Sequence, residues 1–414
     1  MQRALRTITD DAKLAGKRVL LRGAFDVPLA KNARGVLEVA DDFRLQQLVP
    51  TIVRLSRARA RIVLIGHLGR PKGHKVARMS LKPVISHLQT LLPPDVGNVA
   101  FTEVRDFRKV AAITKRIVPG HLLALENMRF YQGEEKNDPA FCDALATLGD
   151  VYMNECFSNT HRAHASMLGV AKRLPAYAGW QLLREINVLD GVRSRPKKPF
   201  VLMVGGIKVE DKIPMLMHLA EHASAILVGG GPANTFLQIL KTPIGKSSAA
   251  TPVSYRKLKA LLKEKRRFPG LGLIPLMHLP EDVVVAKSPE SAPRLVDFST
   301  KDKVRPTETI YDVGPKTVLS YASIIKKAQT IVWAGPLGMF EVPVFAQGSR
   351  ALGWLIAARS EGPAFGVVGG GETLKVLRST GMEEYVDCRS TGGGAMLQFL
   401  SGKELAGLAP LRIK

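Results

Sequence analysis

Two lysines four residues apart, Lys208 and Lys212, follow a pair of glycines at the end of the apolar run Phe200-Val-Leu-Met-Val204. The run reads as a buried parallel strand and Gly205-Gly206 as a turn that only small residues allow. The lysines then fall on one face of the first helical turn beyond it. Exposed N–H groups and the helix dipole favour negative charge at such a place, so the arrangement suits an anion carrying several charges. Taken alone, a Gly-Gly-x-Lys is more often a tight turn with two solvated lysines.

A second set of chemically capable residues stands at the ends of four short apolar runs in the first half: Arg22, His67, Asn127 and Asn154. Just beyond them come Arg70, Arg129, Arg162 and the pair His161/His164. Guanidinium forks match carboxylate and phosphate oxygens, so convergence of these arginines with the histidines would make a cationic site for an acid. A metal held by His161 and His164 is disfavoured, because no Cys or carboxylate stands nearby at ligand spacing.

These residues need elements to hold them. The runs Val19–Arg22, Ile62–His67, Leu122–Asn127 and Val151–Glu155 alternate with helical segments, which implies a parallel sheet covered by helices on both faces, with ligand groups at the carboxyl strand ends. The alternation restarts at residue 200, with further strands expected in the segments Ala225–Gly231, Leu271–Pro275, Thr330–Gly335 and Phe365–Glu372. Counting the run at 200–204, four of the five strands end in glycine, and Thr391-Gly-Gly-Gly-Ala395 adds another run. Repeated glycine at successive strand ends is hard to explain without a ligand lying against bare backbone, and a nucleotide is the economical choice. No Walker P-loop and no well-placed Gly-x-Gly-x-x-Gly is present. Between the halves, Trp180–Asp190 carries Leu182, Leu183, Ile186 and Leu189 at helical spacing, followed by a basic, proline-containing linker. The expected architecture is α/β, with two doubly wound parallel-sheet domains joined by a hinge helix. The domains are 1–180 and 199–395, the connection is 181–198, and 396–414 packs back on the first domain.

The 414 residues suit two domains, and 46% hydrophobic with 23% charged residues is a globular composition. No apolar stretch approaches the roughly 20 residues that span a bilayer. Cys142, Cys156 and Cys388 form no CxxC pair, which fits a reducing compartment without structural zinc or a disulfide framework. The cytoplasm is the default. An organelle matrix is the alternative, weakened by Asp10 and Asp11 in the N-terminal segment. The net charge of +24 suggests acidic partners without naming one. Arg256–Arg267 reads as a surface helix with a solvated basic face, or else as a docking face for a polyanion or a membrane surface, and Arg54, Arg57, Arg59 and Arg61 form a second basic cluster.

Together these passages resemble the phosphoglycerate kinase family over nearly the whole chain. The most specific matches are His67-Leu-Gly-Arg-Pro-Lys-Gly73, Leu125-Glu-Asn127 with Arg129, His161-Arg-Ala-His-Ala-Ser166, Asp312-Val-Gly-Pro-Lys-Thr317, Trp333 with Gly335-Pro336, and Ser390-Thr-Gly-Gly-Gly-Ala395. The resemblance implies reversible phosphoryl transfer between 1,3-bisphosphoglycerate and Mg-ADP, giving 3-phosphoglycerate and Mg-ATP, by a monomeric protein. It places Arg22, Asp26, Arg44, His67, Arg70, Arg129, His161 and Arg162 around the glycerate. Gly206, Lys208, Lys212, Gly230, Gly231, Pro336, Glu341 and Gly370 to Thr373 fall around the nucleotide, with Glu372 toward Mg2+. Arg44 and Lys212 are the expected catalytic cations. Departures from the family pattern sit at both sites. Ala24 replaces a carboxylate, Asp26 a neutral amide, Ala334 an amide and Glu372 an aspartate. Ile207, Glu210 and Asn234 differ from the residues usual there. They motivate an alternative reading, a catalytically impaired protein serving as a basic docking subunit for RNA or a tubulin-like acidic partner.

Overall fold

The computed structural model describes residues 4–263 and 276–413. It divides into two compact units, residues 1–187 with 404–414, and residues 188–403. The division falls inside the connecting helix Trp180–Ser194 rather than at its ends.

In the first unit the strands are β1 (Arg18–Arg22), β2 (Leu29–Lys31), β3 (Leu37–Val39), β4 (Arg61–Ile65), β5 (Val99–Thr102), β6 (Leu122–Leu125), β7 (Val151–Asn154) and β8 (Ala176–Ala178). Six of them make one parallel sheet, ordered β5-β6-β4-β1-β7-β8, while β2 and β3 form a small hairpin. The central strands are near-continuous apolar runs because both faces are covered, and Val19, Leu20, Leu21, Val63 and Leu64 are fully buried. The chain leaves β1 on one side through β4 and comes back on the other with β7, and such a reversal opens a crevice at the carboxyl ends. Register sets Arg22 level with Ile65 on one side and with Asn154 on the other. The C-terminal residues join this unit through backbone bonds from Arg6 N to Leu411 O (2.7 Å) and from Gly407 N to Thr160 O (2.7 Å).

The second unit holds β9 (Phe200–Val204), β10 (Ala225–Val228), β11 (Met277–His278), β12 (Asp282–Ala286), β13 (Arg294–Asp297), β14 (Thr309–Val313), β15 (Thr330–Ala334), β16 (Phe365–Gly369) and β17 (Cys388–Ser390). Its parallel sheet runs β11-β10-β9-β15-β16-β17, so the order reverses between β9 and β15. The glycine turns Gly205-Gly206 and Gly335 stand at that point. A three-stranded antiparallel sheet, β13-β12-β14, has its own small cluster of Val283, Val285, Val296 and Val304. Sequence alternation missed this sheet, because its strands follow one another without intervening helices. The expected strand at 271–275 lies outside the described residues, as does 264–267 of the basic segment.

One expectation at the head of the second unit is corrected. Lys208 and Lys212 do not share a helical turn, since the helix is Ile213–Ala220, with Lys212 as its N-cap and a proline in its first turn. Residues 205–212 form a loop, with Gly206 at φ +80°. Pro214 favours a helix start immediately before it, and this overrides the i, i+4 spacing.

Candidate active site

In the first unit the sheet gathers charge. Arg22 is buried, and its guanidinium bonds Ser166 Oγ (3.1 Å), the Gly23 carbonyl and His67 Nδ1 (2.9 Å). Asn159 Nδ2 also points at His67 Nδ1, at 3.0 Å. Two donors converging on one ring nitrogen require it to carry a lone pair, so His67 is neutral with its proton on Nε2. That nitrogen lies 3.6 Å from Asp26 Oδ2. Burial is the main reason the His67 pKa falls to about 3, and the charges of Arg22 and Arg129 add to the effect.

The same physics corrects the expectation of cationic histidines. Burial, with Arg129 and Arg162 alongside, holds His164 at about 3 and lowers His161. Positive charge here therefore belongs to the arginines. Burial and the neighbouring Arg22 and Arg162 lower even the Arg129 guanidinium, which donates to Gly69 O at 2.7 Å and lies 3.4 Å from Glu135 Oε1. Two buried polar atoms in this region, Asn154 Nδ2 and His161 Nδ1, lack a hydrogen-bond partner among the described residues, and a third, Arg129 Nε, meets only the Glu135 carboxylate, at 3.4 Å. Buried polar atoms are rarely left so, and such atoms crowded beside like charges suit an anionic ligand.

Asp26, whose charge would oppose such an anion, is built into the wall. Oδ1 accepts from the Gly69 N–H (2.9 Å), and Arg44 donates to the Asp26 carbonyl from the first turn of the helix Phe43–Arg57. Burial would raise its pKa, but the bonds from His67 and Gly69 and the charge of Arg44 outweigh burial and hold the carboxyl below its ordinary range. Arg162 is half-buried and electrostatically coupled to Arg129 and both histidines. Arg70 is exposed on the loop after β4, next to Gly69, which bonds both Asp26 and Arg129. Asn127 has a structural role: its amide donates to Leu68 O (2.7 Å) and Met79 O (2.9 Å) and accepts from Arg129 N (3.0 Å), fixing the loop that carries the arginines. Sequence reasoning missed Ser166 and Glu134. Glu134, fully buried, accepts from Ser166 N (2.9 Å) and Oγ (2.6 Å), and burial raises its pKa.

The second unit presents backbone instead. Gly206, Gly230, Gly231, Pro336, Glu341 and Glu372 line a cavity of about 420 Å³, together with Asn234, Tyr311, Met339 and Phe340. Lys212, Gly370, Gly371, Glu372 and Thr373 line a neighbouring one of about 270 Å³, with Ala334, Gly393 and Met396. Glu372 borders both. Lys208 is exposed and lines neither; its carbonyl accepts from Lys212 Nζ at 3.2 Å. Burial lowers the Lys212 pKa, and the nearby Glu372 charge works against that shift.

The glycines here divide into two kinds. The turns after β9, β10 and β15 are woven together by Gly206 N to Pro336 O (2.6 Å), Gly230 N to Leu337 O (3.0 Å) and Gly231 N to Gly206 O (2.9 Å). A Cβ on Gly231 would lie 2.8 Å from Ile207 O, and one on Gly335, at φ +96°, would collide with the Gly205 carbonyl. Much of the glycine signal thus records backbone packed on backbone. Gly371 and Gly393, by contrast, face open space at the starts of the helices Gly371–Ser379 and Gly394–Leu400. There an anion can meet unpaired helix N–H groups directly. The Thr373 hydroxyl is engaged with Gly335 N (2.8 Å) and Gly369 O (2.9 Å), which leaves its N–H as the group it can offer.

The fold and these two sites define an α/β protein that carries an arginine-rich cluster at the strand ends of one parallel sheet and a glycine-lined cavity at the switch point of another. The phosphoglycerate kinase family model matches residues 9–403. The chain is 40% identical to the phosphoglycerate kinase of Desulforudis audaxviator over 97% of its own length and 98% of that protein's. It is 38% identical to that of Agrobacterium fabrum, covering 99% of this chain and 98% of the relative. Among solved structures it is similar to the phosphoglycerate kinases of Coxiella burnetii (TM-score 0.76, 34% identity, 96% of each chain) and Pyrococcus horikoshii (TM-score 0.80, 28% identity, 98% of each). The chain belongs to the phosphoglycerate kinase family.

The docking alternative gains no support from the described basic residues. Arg54 pairs with Asp11 (2.6 Å) and stacks on Trp180, and Arg57 pairs with Asp95 (2.9 Å). No described helix is long and apolar enough to cross a membrane.

Proposed function

We propose that this protein transfers a phosphoryl group reversibly between Mg-ATP and 3-phosphoglycerate, with the acid held by Arg22, His67, Arg70, Arg129, His161 and Arg162 and the nucleotide by the two cavities of the second unit. The observation that carries the reading is the set of orphaned polar atoms among coupled arginines, in a chain of this family that also carries an open helix start beside Lys212. A carboxylate oxygen of 3-phosphoglycerate attacks the γ-phosphorus, and the bond from phosphorus to the β,γ-bridging oxygen of ATP breaks. Chemistry of this kind asks for positioning and charge stabilisation more than for proton transfer. The arginines orient and neutralise the acid. Neutral His67, held by Arg22 and Asn159, presents an Nε2–H rather than a charge. Arg44 and Lys212 compensate charge that develops on the transferring group, and the Gly371–Ser379 helix start binds phosphate oxygens.

Magnesium binds through few protein ligands, commonly one or two carboxylates, with phosphate oxygens and waters completing its shell. Among the described residues no cluster of three His, Cys, Asp or Glu could hold a metal. The exposed Glu372 carboxylate, shared by the two cavities, fits the role of the single carboxylate ligand to a nucleotide-borne ion. Such an ion supplies charge neutralisation on the phosphates.

A coupled assay with 3-phosphoglycerate and Mg-ATP tests the proposal. Turnover far above that of the Arg44→Ala, Lys212→Ala double variant is expected. Equal rates for the two proteins would refute it.

A further inference from the structure

The larger cavity is walled by apolar surface and by polar side chains that are mostly exposed or half-buried: Ser248, Thr309, Tyr311, Glu341 and Glu372. Asn234 differs from them. It lies in the helix Gly230–Ile239, lines the cavity, and is only 4% exposed. Its amide nitrogen donates to the Ser248 carbonyl at 2.9 Å. An amide has a donor end and an acceptor end, and this bond settles which is which. The end that this bond leaves for a ligand is the carbonyl oxygen. Ile207, at the same cavity, is 75% exposed, a large aliphatic surface that the face of a planar base would cover.

We propose that Asn234 is a specificity-determining residue that accepts a hydrogen bond from the exocyclic 6-amino group of adenine. It thereby sets a preference for 6-aminopurine over 6-oxopurine nucleotides. This rests on reading the cavity as the nucleotide site. A 6-oxopurine bound in the same pose would set its carbonyl against that of Asn234, which cannot rotate to offer its NH2 without breaking the bond to Ser248. A purine with no 6-substituent would cover that acceptor and leave it unpaired.

The test is calorimetric titration of the full-length protein with the magnesium complexes of ADP, IDP and the diphosphate of unsubstituted purine riboside. Wild type is expected to bind ADP about 3- to 10-fold tighter than either analogue, the span of one neutral hydrogen bond. Asn234→Ala should bind all three within about twofold of one another. The same amide anchors Ser248, so a second variant, Asn234→Thr, keeps a hydroxyl donor toward that carbonyl and should lose the preference as well. The readout is a ratio of affinities and does not depend on the folded fraction. Equal affinities in the wild type, tighter binding of IDP, or an undiminished preference in both variants would overturn the role of Asn234. Absence of ADP binding altogether would instead overturn the nucleotide reading.

Discussion

Under the proposed function the two sites solve one problem, holding a multiply charged anion, with opposite materials. The first unit uses long charged side chains that are buried and cross-bonded: Arg22 to His67 and Ser166, and Arg129 to Gly69. The second uses glycine turns, a helix start and a single half-buried lysine, Lys212. Side chains held in this way impose shape and charge on a small acid. Bare backbone admits a large ligand closely and recognises its phosphates without a fixed side-chain pattern. The cost of the first solution is burial of charge, with repulsion among like charges added to it, visible in the lowered Arg129 pKa and the neutral histidines.

The contrast can be broken by substitutions that separate packing from binding. The largest effect is expected for Gly335→Ala, which places a Cβ against the Gly205 carbonyl at a positive φ. A loss of about 3 to 5 kcal/mol in chemical denaturation is predicted. Arg22→Leu removes the donor to Ser166, Gly23 and His67 from a buried setting, and a loss of about 2 to 4 kcal/mol is predicted by the same measurement.

Acid should give the next effect, within the first unit. The folded His67 pKa lies near 3, below the ordinary 6.5, so the folded state binds fewer protons than the unfolded chain between those values. The stabilisation is fully present above pH 6.5 and is lost as pH falls toward 3. Between pH 6.5 and 5 this amounts to about 2 kcal/mol. Buried Glu155, raised to about 7, acts oppositely and stabilises less as pH rises from the ordinary glutamate range to 7. Denaturation of His67→Gln over this interval isolates the histidine, and a slope equal to that of wild type would contradict the assignment.

Gly371→Ala should have the smallest effect on stability, within about 0.5 kcal/mol, because its Cβ meets open space in a helical first turn. Nucleotide affinity should nevertheless fall about 3- to 10-fold as the methyl enters the phosphate approach, which titration would show.

Legibility in the sequence followed the same contrast. In the first unit the strands were readable as apolar runs ending in polar residues, and chemistry-bearing types such as Arg22, Arg129 and Arg162 announced themselves. Their protonation was not readable, since it depends on which atoms face one another in three dimensions: His67 looks cationic until two donors are found on Nδ1. Strands β5 and β8 escaped because β5, Val-Ala-Phe-Thr, is largely half-buried and β8, Ala-Tyr-Ala, is only three residues long. In the second unit glycine carries two meanings that sequence cannot separate, close backbone packing at Gly231 and Gly335 and open approach at Gly371. Lys208 illustrates a different failure, in which spacing suggested a shared helical face that Pro214 moved downstream.

The central claim is that acid and nucleotide are held by separate sites of different construction. It is tested most directly by titrating 3-phosphoglycerate and Mg-ATP, each alone, into Arg162→Ala and Lys212→Ala. Arg162→Ala is predicted to weaken the acid at least about tenfold while leaving Mg-ATP unchanged, and Lys212→Ala to do the reverse. Loss of both ligands in either variant, with the fold intact, would contradict the account.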